Sequence, residues 1–507
     1  MASDSGSTPS PVSGPGAVTR SSAAAVIARQ DRIPIWSLSY LFIGIIGIGF
    51  LFTFFDIFDI TVSFIQTCTQ IVPGCNPANS STYLGLPVEL NLAGYVIGAL
   101  ILAPLADRFG RRDVLLFTLL LTGIGSLYTV FVGDYANFVI ARTITGIGIG
   151  ADLALVNAYI NEVAPSAGRA KYTSLIFIMS SLGAFFGIWL GLWLTTPAAP
   201  FPGGLPFSIA TVSVTASGPQ FLGAGWRIMY AIGTLLAIVG VLLRTQLPES
   251  PRWLISRGRV DEADEIVTSM EARARRKVPE LPAPAAEIPV QAGPSRVPYA
   301  EIFGNPLYLT RTILLVIVWF LGYVTVYAIA QGLTSLLDGM HYPPPESGMI
   351  AAFGTFGFIA TAVFAYFFGE QLERKLWLPI AALLTLIGGI LIGVAGPNNF
   401  TFAAIASIIT FFGFNLWVPM TYSWSTENYP TRARATGFAL VDGVGHLGGG
   451  VGILLIAPLI PTLIANQGLT TGPIVMFVII AVFLIVAAII AQFGTSTRRK
   501  RLDEVSP

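Results

Sequence analysis

Five ionisable residues lie inside stretches of sequence that are otherwise apolar. Asp56 and Asp59 fall in the first hydrophobic segment, Arg142 and Asp152 in the fourth, and Asp442 in the eleventh. Arg142 is the only cation that this assignment places deep in such a stretch. A charge at the centre of a bilayer costs roughly 2.5–3.5 kcal/mol even on the most lenient scale, so such residues usually pair or line a wet cavity. The pattern therefore indicates a polar pathway through a membrane protein.

Two pairs of ionisable residues in the apolar segments are spaced to share one face of a helix. Asp56 and Asp59 lie about one helical turn apart, and neighbouring carboxylates in a low-dielectric cavity cannot both stay ionised cheaply, so one should bind a proton. Asp442 and His446 are spaced i, i+4, and a histidine changes charge near about pH 6.5. The alternative interpretations are an ion pair that only orients helices and a histidine that only packs.

Composition fixes the class of the protein. The chain has 507 residues, a mean hydropathy of +0.72, 54% hydrophobic residues and 11% charged residues, which no ordinary soluble domain shows. Long continuous apolar runs predict membrane helices, whereas a barrel would need short alternating segments. We predict an all-α membrane protein with twelve spans, at about 39–66, 87–106, 113–132, 136–161, 171–195, 221–246, 309–337, 347–369, 376–396, 400–425, 435–459 and 472–493.

The placement of Lys and Arg predicts the orientation. Apart from Arg142 and Arg227, these residues fall in the tails or in the even-numbered loops. By the positive-inside rule both termini are cytoplasmic, and we expect a multi-pass protein of the plasma membrane. The net charge of +1 does not suggest nucleic-acid binding.

An internal repeat divides the chain into two halves. The segment that begins at Glu162 and includes Arg169 recurs at Glu427 and Arg434, at a constant offset of 265 residues. Two matching six-helix halves are the expected build of a transporter that rocks around a midplane site. We predict a disordered cytoplasmic tail at 1–35, a six-helix bundle at 36–247, a cytoplasmic connector with short helices and a Pro-rich linker at 248–307, a second bundle at 308–493 and a cytoplasmic tail at 494–507.

Several motifs resemble a known superfamily. Residues 107–112, Asp-Arg-Phe-Gly-Arg-Arg, resemble the signature between helices 2 and 3 of the major facilitator superfamily. Residues 248–253 and 146–165 resemble motifs of its sugar-porter-like branches, whereas residues 427–437 look more like its niacin and organic-ion metabolite transporters. The resemblance implies the twelve-helix major facilitator fold and transport by alternating access.

The resemblance also implies roles for residues. Asp56 and Asp59 match an Asp-x-x-Asp of aromatic-acid and niacin-type proton symporters, and Asp56 matches an aspartate that pairs with a helix-4 arginine, here Arg142. These three residues are the predicted proton-coupling site. The gating residues implied at the cytoplasmic face are Asp107, Arg108, Gly110, Arg111, Arg112, Glu162, Arg169, Glu427 and Arg434.

Polar and aromatic residues of the spans are candidates for substrate contact. The set is Asp152, Asn157, Tyr159, Tyr323, Tyr327, Gln331, Asn415, Tyr422, Trp424, Asp442 and His446. Sugar porters usually carry a Gln-Gln pair early in helix 7 and a Pro-x-Tyr in helix 4, neither of which is present, so a hexose substrate is in doubt. Cys68 and Cys75, both in the first outer loop, are a candidate disulfide, with two free thiols as the alternative.

We predict a proton-coupled symporter for a small polar organic metabolite: sugar-like, aromatic or another organic acid. No Walker A motif or metal-ligand cluster is present in the sequence, so we expect neither an enzyme nor a metal site, and no cofactor besides the proton as coupling ion. The expected partners are the substrate, protons and the lipid bilayer, with a monomer as the functional unit. An organic cation:proton antiporter and a transporter-like nutrient receptor are the alternatives.

Overall fold

The structure is a computed structural model that describes residues 22–75, 80–165, 168–209, 225–284, 298–397, 399–456 and 459–506. Within these ranges the chain forms helices and no strands. The helices of the first half are α1 (Ala23–Asp31), α2 (Tyr40–Ile71), α3 (Ser80–Phe109), α4 (Arg111–Phe131), α5 (Tyr135–Val163), α6 (Arg169–Thr195) and α7 (Gly225–Arg244).

Three short helices follow in the connector, and the second half comes after them. The connector helices are α8 (Pro251–Ser256), α9 (Val260–Arg275) and α10 (Pro298–Gly304). The second half contains α11 (Pro306–Ala330), α12 (Leu333–Gly339), α13 (Pro344–Phe368), α14 (Trp377–Ala395), α15 (Phe400–Asn415), α16 (Val418–Glu427), α17 (Arg434–Ile456), α18 (Leu459–Ala491) and α19 (Leu502–Val505). Most of the predicted Pro-rich linker lies outside the described residues.

The predicted fold class is confirmed. Eleven helical segments of the described chain are long and apolar enough to cross a membrane, and they correspond to all the predicted spans except the eleventh. That span corresponds to α17, a helix of 23 residues that carries Asp442 and His446. The predicted tenth span consists of α15 and α16, which are interrupted at Leu416 and Trp417, just before Pro419 in the first turn of α16.

Small residues let the helices of each half approach closely. A side chain at Gly146 of α5 would lie 2.0 Å from the carbonyl oxygen of Asn91, and one at Gly98 of α3 would lie 1.9 Å from that of Ile147. The two halves meet along two seams, where α3 contacts α17 and α6 contacts α13. One end of the bundle carries the buried guanidinium groups of Arg111, Arg169, Arg374 and Arg434. We call it the Arg-rich face.

The prediction of a disordered tail at 1–35 is wrong for the residues that the structure describes. Ser22 caps α1, and Val26 and Ile27 of this helix are buried against α8 and α9. The Ser, Pro and Gly content of the whole tail concealed this short amphipathic segment. Residues 1–21 lie outside the described ranges.

Ion pairs anchor α1 to the connector helix α9. Arg29 donates to Glu271 at 2.9 and 3.2 Å and also pairs with Asp264, and Arg32 donates to the other carboxylate oxygen of Glu271 at 2.5 and 2.8 Å. Acidic residues of α9 thus hold the N-terminal helix. Asp31 lies 3.4 Å from Arg501, so the two ends of the described chain meet on the Arg-rich face.

Cys68 and Cys75 form a disulfide, with their Cα atoms 5.9 Å apart. Of the two states that the sequence left open, the structure has the bonded one. The bond ties the end of α2 to the loop that follows it.

We predict that Glu271→Gln releases α1. Burial raises the pKa of Glu271, but hydrogen bonds from Arg29 and Arg32 outweigh burial and place it below its ordinary value. A carboxylate whose pKa is lowered by docking stabilises the docked helix at every pH above its ordinary pKa. This stabilisation is lost as the pH falls through the lowered pKa. Hydrogen exchange of residues 23–31 should therefore be roughly fivefold faster in Glu271→Gln, as expected for ion pairs near a surface.

The matched control is Glu262→Gln, which removes an exposed carboxylate of the same helix that pairs only with its neighbour Arg259 in the described chain. Exchange of α1 should not change in this variant. Equal exchange rates in both variants would contradict the docking role of Glu271.

Candidate functional site

The predicted coupling pair is present at the interface of α2 and α5. Arg142 donates from Nη1 to Oδ2 of Asp56 at 3.0 Å and from Nη2 to the backbone carbonyl of the same residue at 2.7 Å. Ser126 of α4 donates to the other carboxylate oxygen at 2.6 Å. All three side chains are buried, so this ion pair connects three helices away from water.

Asp59 shares the same cation at a longer distance. Its Oδ1 lies 3.8 Å from Nη1 of Arg142, and its side chain is fully buried. Neither carboxylate oxygen has a hydrogen bond of ordinary geometry within the described residues. The site therefore holds two carboxylates against one guanidinium, an arrangement in which an added proton relieves an excess negative charge.

Asp152, predicted to contact substrate, is not among the residues that line the central cavity described below and is paired within the first half. It forms an ion pair with Arg244 at the end of α7, with a 2.9 Å bond to Oδ2, and it accepts from Thr118 at 3.0 Å. Arg244 is fully buried, so Arg142 is not the only buried cation of the spans. Arg244 was counted with the cations of the loops because it lies at the very end of a hydrophobic segment.

A central cavity lies between the two halves. It encloses about 520 Å³ when the open space at its mouth is included. Its lining is mainly aromatic and aliphatic: Phe54, Ile57, Phe58, Leu153, Phe177, Tyr323, Val326, Tyr327, Ala330, Gln331, Phe358, Asn415, Val418, Tyr422 and His446. Six of the predicted substrate-contact residues are thus brought together: Tyr323, Tyr327, Gln331, Asn415, Tyr422 and His446.

Three polar groups of the lining have hydrogen-bonding capacity to offer a ligand. Within the described residues, Nδ2 of Asn415 and Oε1 of Gln331 are buried without a partner. Nδ1 of His446 lies 2.7 Å from the backbone carbonyl of Asp442, and because a carbonyl only accepts, Nδ1 carries the proton. Nε2 then accepts when the ring is neutral and donates when it is cationic.

Asp442 lies behind this lining and accepts hydrogen bonds from tyrosines of both halves. Tyr323 of α11 donates to its Oδ1 at 2.9 Å, and Tyr95 of α3 donates to its Oδ2. The ring of Tyr95 also stacks on His446, with centroids 3.7 Å apart. Tyr95 was not among the predicted site residues, since nothing in the sequence around a tyrosine of an apolar span indicates which residue of the other half it contacts.

Three predicted contact residues lie elsewhere. The amide of Asn157 donates to the carbonyl of Leu153 in its own helix at 2.7 Å, and the hydroxyl of Tyr159 donates to the carbonyl of Pro248 at 2.9 Å. Trp424 donates to the carbonyl of Thr495 at 2.7 Å. None of the three is among the residues that line the central cavity, so the structure does not bring them to the candidate site.

The predicted gating residues form an ion network at the Arg-rich face. Arg111 contacts Asp107 and Glu162, both at 2.9 Å. Across the halves, Glu162 lies 3.5 Å from Arg434, and Glu427 lies 3.8 Å from Arg169. These two cross-pairs are the repeat equivalents of each other, so each half supplies one acid and one arginine to the other.

The turn between α3 and α4 is fastened to the connector. Gly110 has a φ of 119°, which favours glycine, and a side chain there would lie 2.4 Å from Oε2 of Glu249. The backbone amides of Arg111 and Arg112 donate to the carboxylate of Glu249. These hydrogen bonds lower its pKa, but burial has the larger effect and raises the pKa above its usual value. Arg108 is exposed beside Phe109 and does not take part in the ion network of the described residues.

The structure has no group of His, Cys, Asp and Glu residues within the described ranges that could hold a metal ion. Its fold matches that of the proton:xylose symporter of E. coli, a major facilitator protein solved with a bromodeoxyglucose, with a TM-score of 0.70 at 21% identity over 92% of this chain and 98% of that chain. The profile of the family described as "Sugar (and other) transporter" matches residues 40–506. The chain belongs to this transporter family.

Two relatives of this transporter have aromatic substrates in their names. The chain is similar to the niacin transporter of Acinetobacter baylyi, with 28% identity over 486 residues that cover 95% of this chain and 99% of that protein. It is also similar to the 4-hydroxybenzoate transporter of the same organism, with 27% identity over 369 residues, or 72% and 74% of the two chains. The predicted superfamily is confirmed, and the protein is a transporter rather than an enzyme.

We predict that Asp152 stabilises this transporter and does not take part in transport. Asp152→Asn would leave the buried guanidinium of Arg244 without its counter-charge, which typically costs about 3–5 kcal/mol. The purified variant should therefore unfold at a clearly lower temperature. The double variant Asp152→Asn/Arg244→Gln should recover most of the loss and transport normally. A variant of unchanged stability that no longer transports would instead place Asp152 on the transport path.

Proposed function

We propose that this protein takes up a small aromatic monocarboxylate together with protons. The observation that carries the proposal is the contrast between the two sites: a cavity lined mainly by aromatic rings and a neighbouring site with more carboxylates than cations. The names of the niacin and 4-hydroxybenzoate relatives support the same class of substrate.

The cavity favours a flat apolar ring with one polar end. Phe54, Phe58 and Phe177 come from the first half, and Phe358 comes from the second, so a ring would be enclosed by both. Asn415 offers a donor, and a cationic His446 would offer a second one, to a carboxylate at the edge of the ring. A sugar would need more polar partners than Gln331, Asn415 and the tyrosine hydroxyls supply, because each unpaired hydroxyl carries a desolvation cost.

The coupling site supplies the charge balance for such a substrate. With both carboxylates ionised, Asp56, Asp59 and Arg142 carry a net charge of −1, and one proton brings the site to zero. Protonation of Asp56 would weaken its bond to Arg142 and loosen α2 from α5. A monocarboxylate and one proton would then cross the membrane without net charge, driven by the proton gradient.

Proton antiport of an organic cation is the second candidate. It is favoured by the buried carboxylates of Asp56, Asp59 and Asp442. The pairing of Asp152 with Arg244 weakens this candidate, since a fourth buried carboxylate of the spans is already neutralised by a cation.

We predict that Asp56→Asn uncouples uptake from the proton gradient. The variant cannot bind the proton at this position. Concentrative uptake of nicotinate into proteoliposomes should therefore fall roughly 5- to 150-fold, the range by which one bound ligand typically changes the affinity for another. Exchange of labelled for unlabelled nicotinate at equal pH should persist. Asp113→Asn, at an exposed position in the first turn of α4, is the control. Full gradient-driven uptake by Asp56→Asn would exclude the coupling role.

We predict that aromatic acids stabilise the purified protein. Nicotinate and 4-hydroxybenzoate should raise the unfolding temperature, more at pH 5.5 than at pH 7.5 (about one unit either side of the ordinary pKa of histidine), whereas xylose and tetraethylammonium should not. Asn415→Leu, a change of similar size, should weaken the binding of these acids about tenfold or more, because it removes a donor to a charged group.

The other outcomes of this panel point to other substrates. Stabilisation by tetraethylammonium, stronger at the higher pH, would favour antiport of a cation. Stabilisation by xylose alone would move the proposal to sugars.

A further inference from the structure

One carboxylate joins the two halves at the depth of the cavity. Asp442 of α17 is fully buried and accepts hydrogen bonds from Tyr323 in its own half and from Tyr95 in the other half. The hydroxyl of Tyr422 lies 3.1 Å from that of Tyr323 and extends the cluster toward α16. Hydrogen bonds to a charged acceptor are stronger than those between neutral groups, so the bond to Tyr95 is a strong connection across the halves.

This bond lies at the inner end of a continuous seam between α3 and α17. At the Arg-rich end of the seam, Oδ2 of Asp107 accepts from the backbone amide of Thr436 at 2.9 Å and from its hydroxyl at 2.6 Å. Farther in, a side chain at Gly443 would lie 2.8 Å from Cβ of Ala99. Tyr95 lies one turn from Ala99 in α3 and Asp442 is the neighbour of Gly443 in α17, so the seam is closed from the Arg-rich face to the cavity.

The same cluster forms part of the cavity wall. Tyr323, Tyr422 and His446 line the cavity, and the ring of Tyr95 stacks on His446 from the other half. Every titratable group that the structure places against Asp442 belongs to this cluster: Tyr95 of α3, Tyr323 and Tyr327 of α11, Tyr422 of α16 and His446 of α17 itself. Both the hydrogen bond from Tyr95 to Asp442 and the ring contact of Tyr95 with His446 must break when the halves separate.

We propose that Tyr95 is a positioning residue whose hydrogen bond to Asp442 locks the Arg-rich side of the transporter closed. The bond is made when α3 and α17 are together and is lost when they part, so it contributes to the equilibrium between the closed and open states of that side. The proposal rests on the proposed function only in that the halves alternate around this cavity. It does not depend on the identity of the substrate or of the coupling ion.

Two cysteine reporters can measure this equilibrium. The two native cysteines are joined in the disulfide and do not react with maleimides. Ser423→Cys places a thiol between the halves on the Arg-rich side, at the contact of α16 with α6, where Ser423 donates to Thr173 at 3.0 Å. Thr355→Cys places one in the other seam, where Trp189 of α6 donates to Thr355 of α13 at 3.3 Å. Both positions are buried, so each thiol reacts only when the two helices that enclose it separate.

We predict that Tyr95→Phe shifts the two reporters in opposite directions. In ligand-free proteoliposomes without a proton gradient, a membrane-permeant maleimide should label Ser423→Cys about tenfold faster and Thr355→Cys more slowly, because the variant loses one hydrogen bond to a charged group in the closed state alone. Asp442→Asn weakens the same bond from its other end and should shift both reporters in the same directions.

Two matched controls separate a lock from general support. Tyr323→Phe removes another donor from Asp442, but within one half, and Tyr327→Phe makes the same chemical change in a residue that contacts His446 and is not among the described donors to Asp442. Neither should change the ratio of the two labelling rates. Unchanged rates in Tyr95→Phe, faster labelling of both reporters, or an equal effect of Tyr323→Phe would overturn the proposal. Failure of the proposed substrate or coupling would leave these rates unaffected.

Discussion

The ion pair between Arg142 and Asp56 sets the main constraint on this structure. A guanidinium without a counter-charge could not remain between α2, α4 and α5, and a hydrogen bond to the backbone of α2 fixes its geometry. Asp59 adds a second carboxylate that the same cation neutralises only in part. The excess charge of this site depends on its protonation, and the site lies where α2, α4 and α5 pack against one another.

The Arg-rich face handles buried charge in a different way. Its cross-pairs are Glu162 with Arg434 and Glu427 with Arg169. Because these pairs are related by the repeat, each half presents one acid and one arginine to the other at equivalent positions. Buried ion pairs add little net stability because desolvation offsets most of their attraction, but they penalise any arrangement that leaves one partner unpaired. Such a network specifies the closed geometry without making it much more stable than an open state in which water reaches the charges.

The sequence was sufficient to predict the helices, the repeat and the Asp56–Arg142 site, because hydropathy and motif spacing are local or family-wide signals. It was insufficient for contacts between distant residues, such as Arg244 with Asp152, which are 92 positions apart, and Tyr95 with Asp442, which are 347 apart. Asn157 and Tyr159 were misplaced for another reason. In the most apolar stretch of α5, 78% of the residues are buried. The periodicity of the sequence therefore cannot distinguish the residues that face the cavity from those that pack against other helices.

The central cavity lies between the helix that carries Asp56 and Asp59 and the helices of the seam that ends at the Arg-rich face. Asp442 is fully buried behind its aromatic wall, and a low-dielectric environment strengthens the hydrogen bonds that converge on this carboxylate from both halves. A ligand that enters contacts Tyr323, Tyr422 and His446, and each of these is at most one hydrogen bond or one ring contact away from the bond between Tyr95 and Asp442. On the opposite wall, Phe54, Ile57 and Phe58 belong to the helix that carries Asp56 and Asp59. In the proposed mechanism, occupancy of the cavity would therefore bias both the carboxylates of Asp56 and Asp59 and the seam, because α2 and α17 each contribute to its surface.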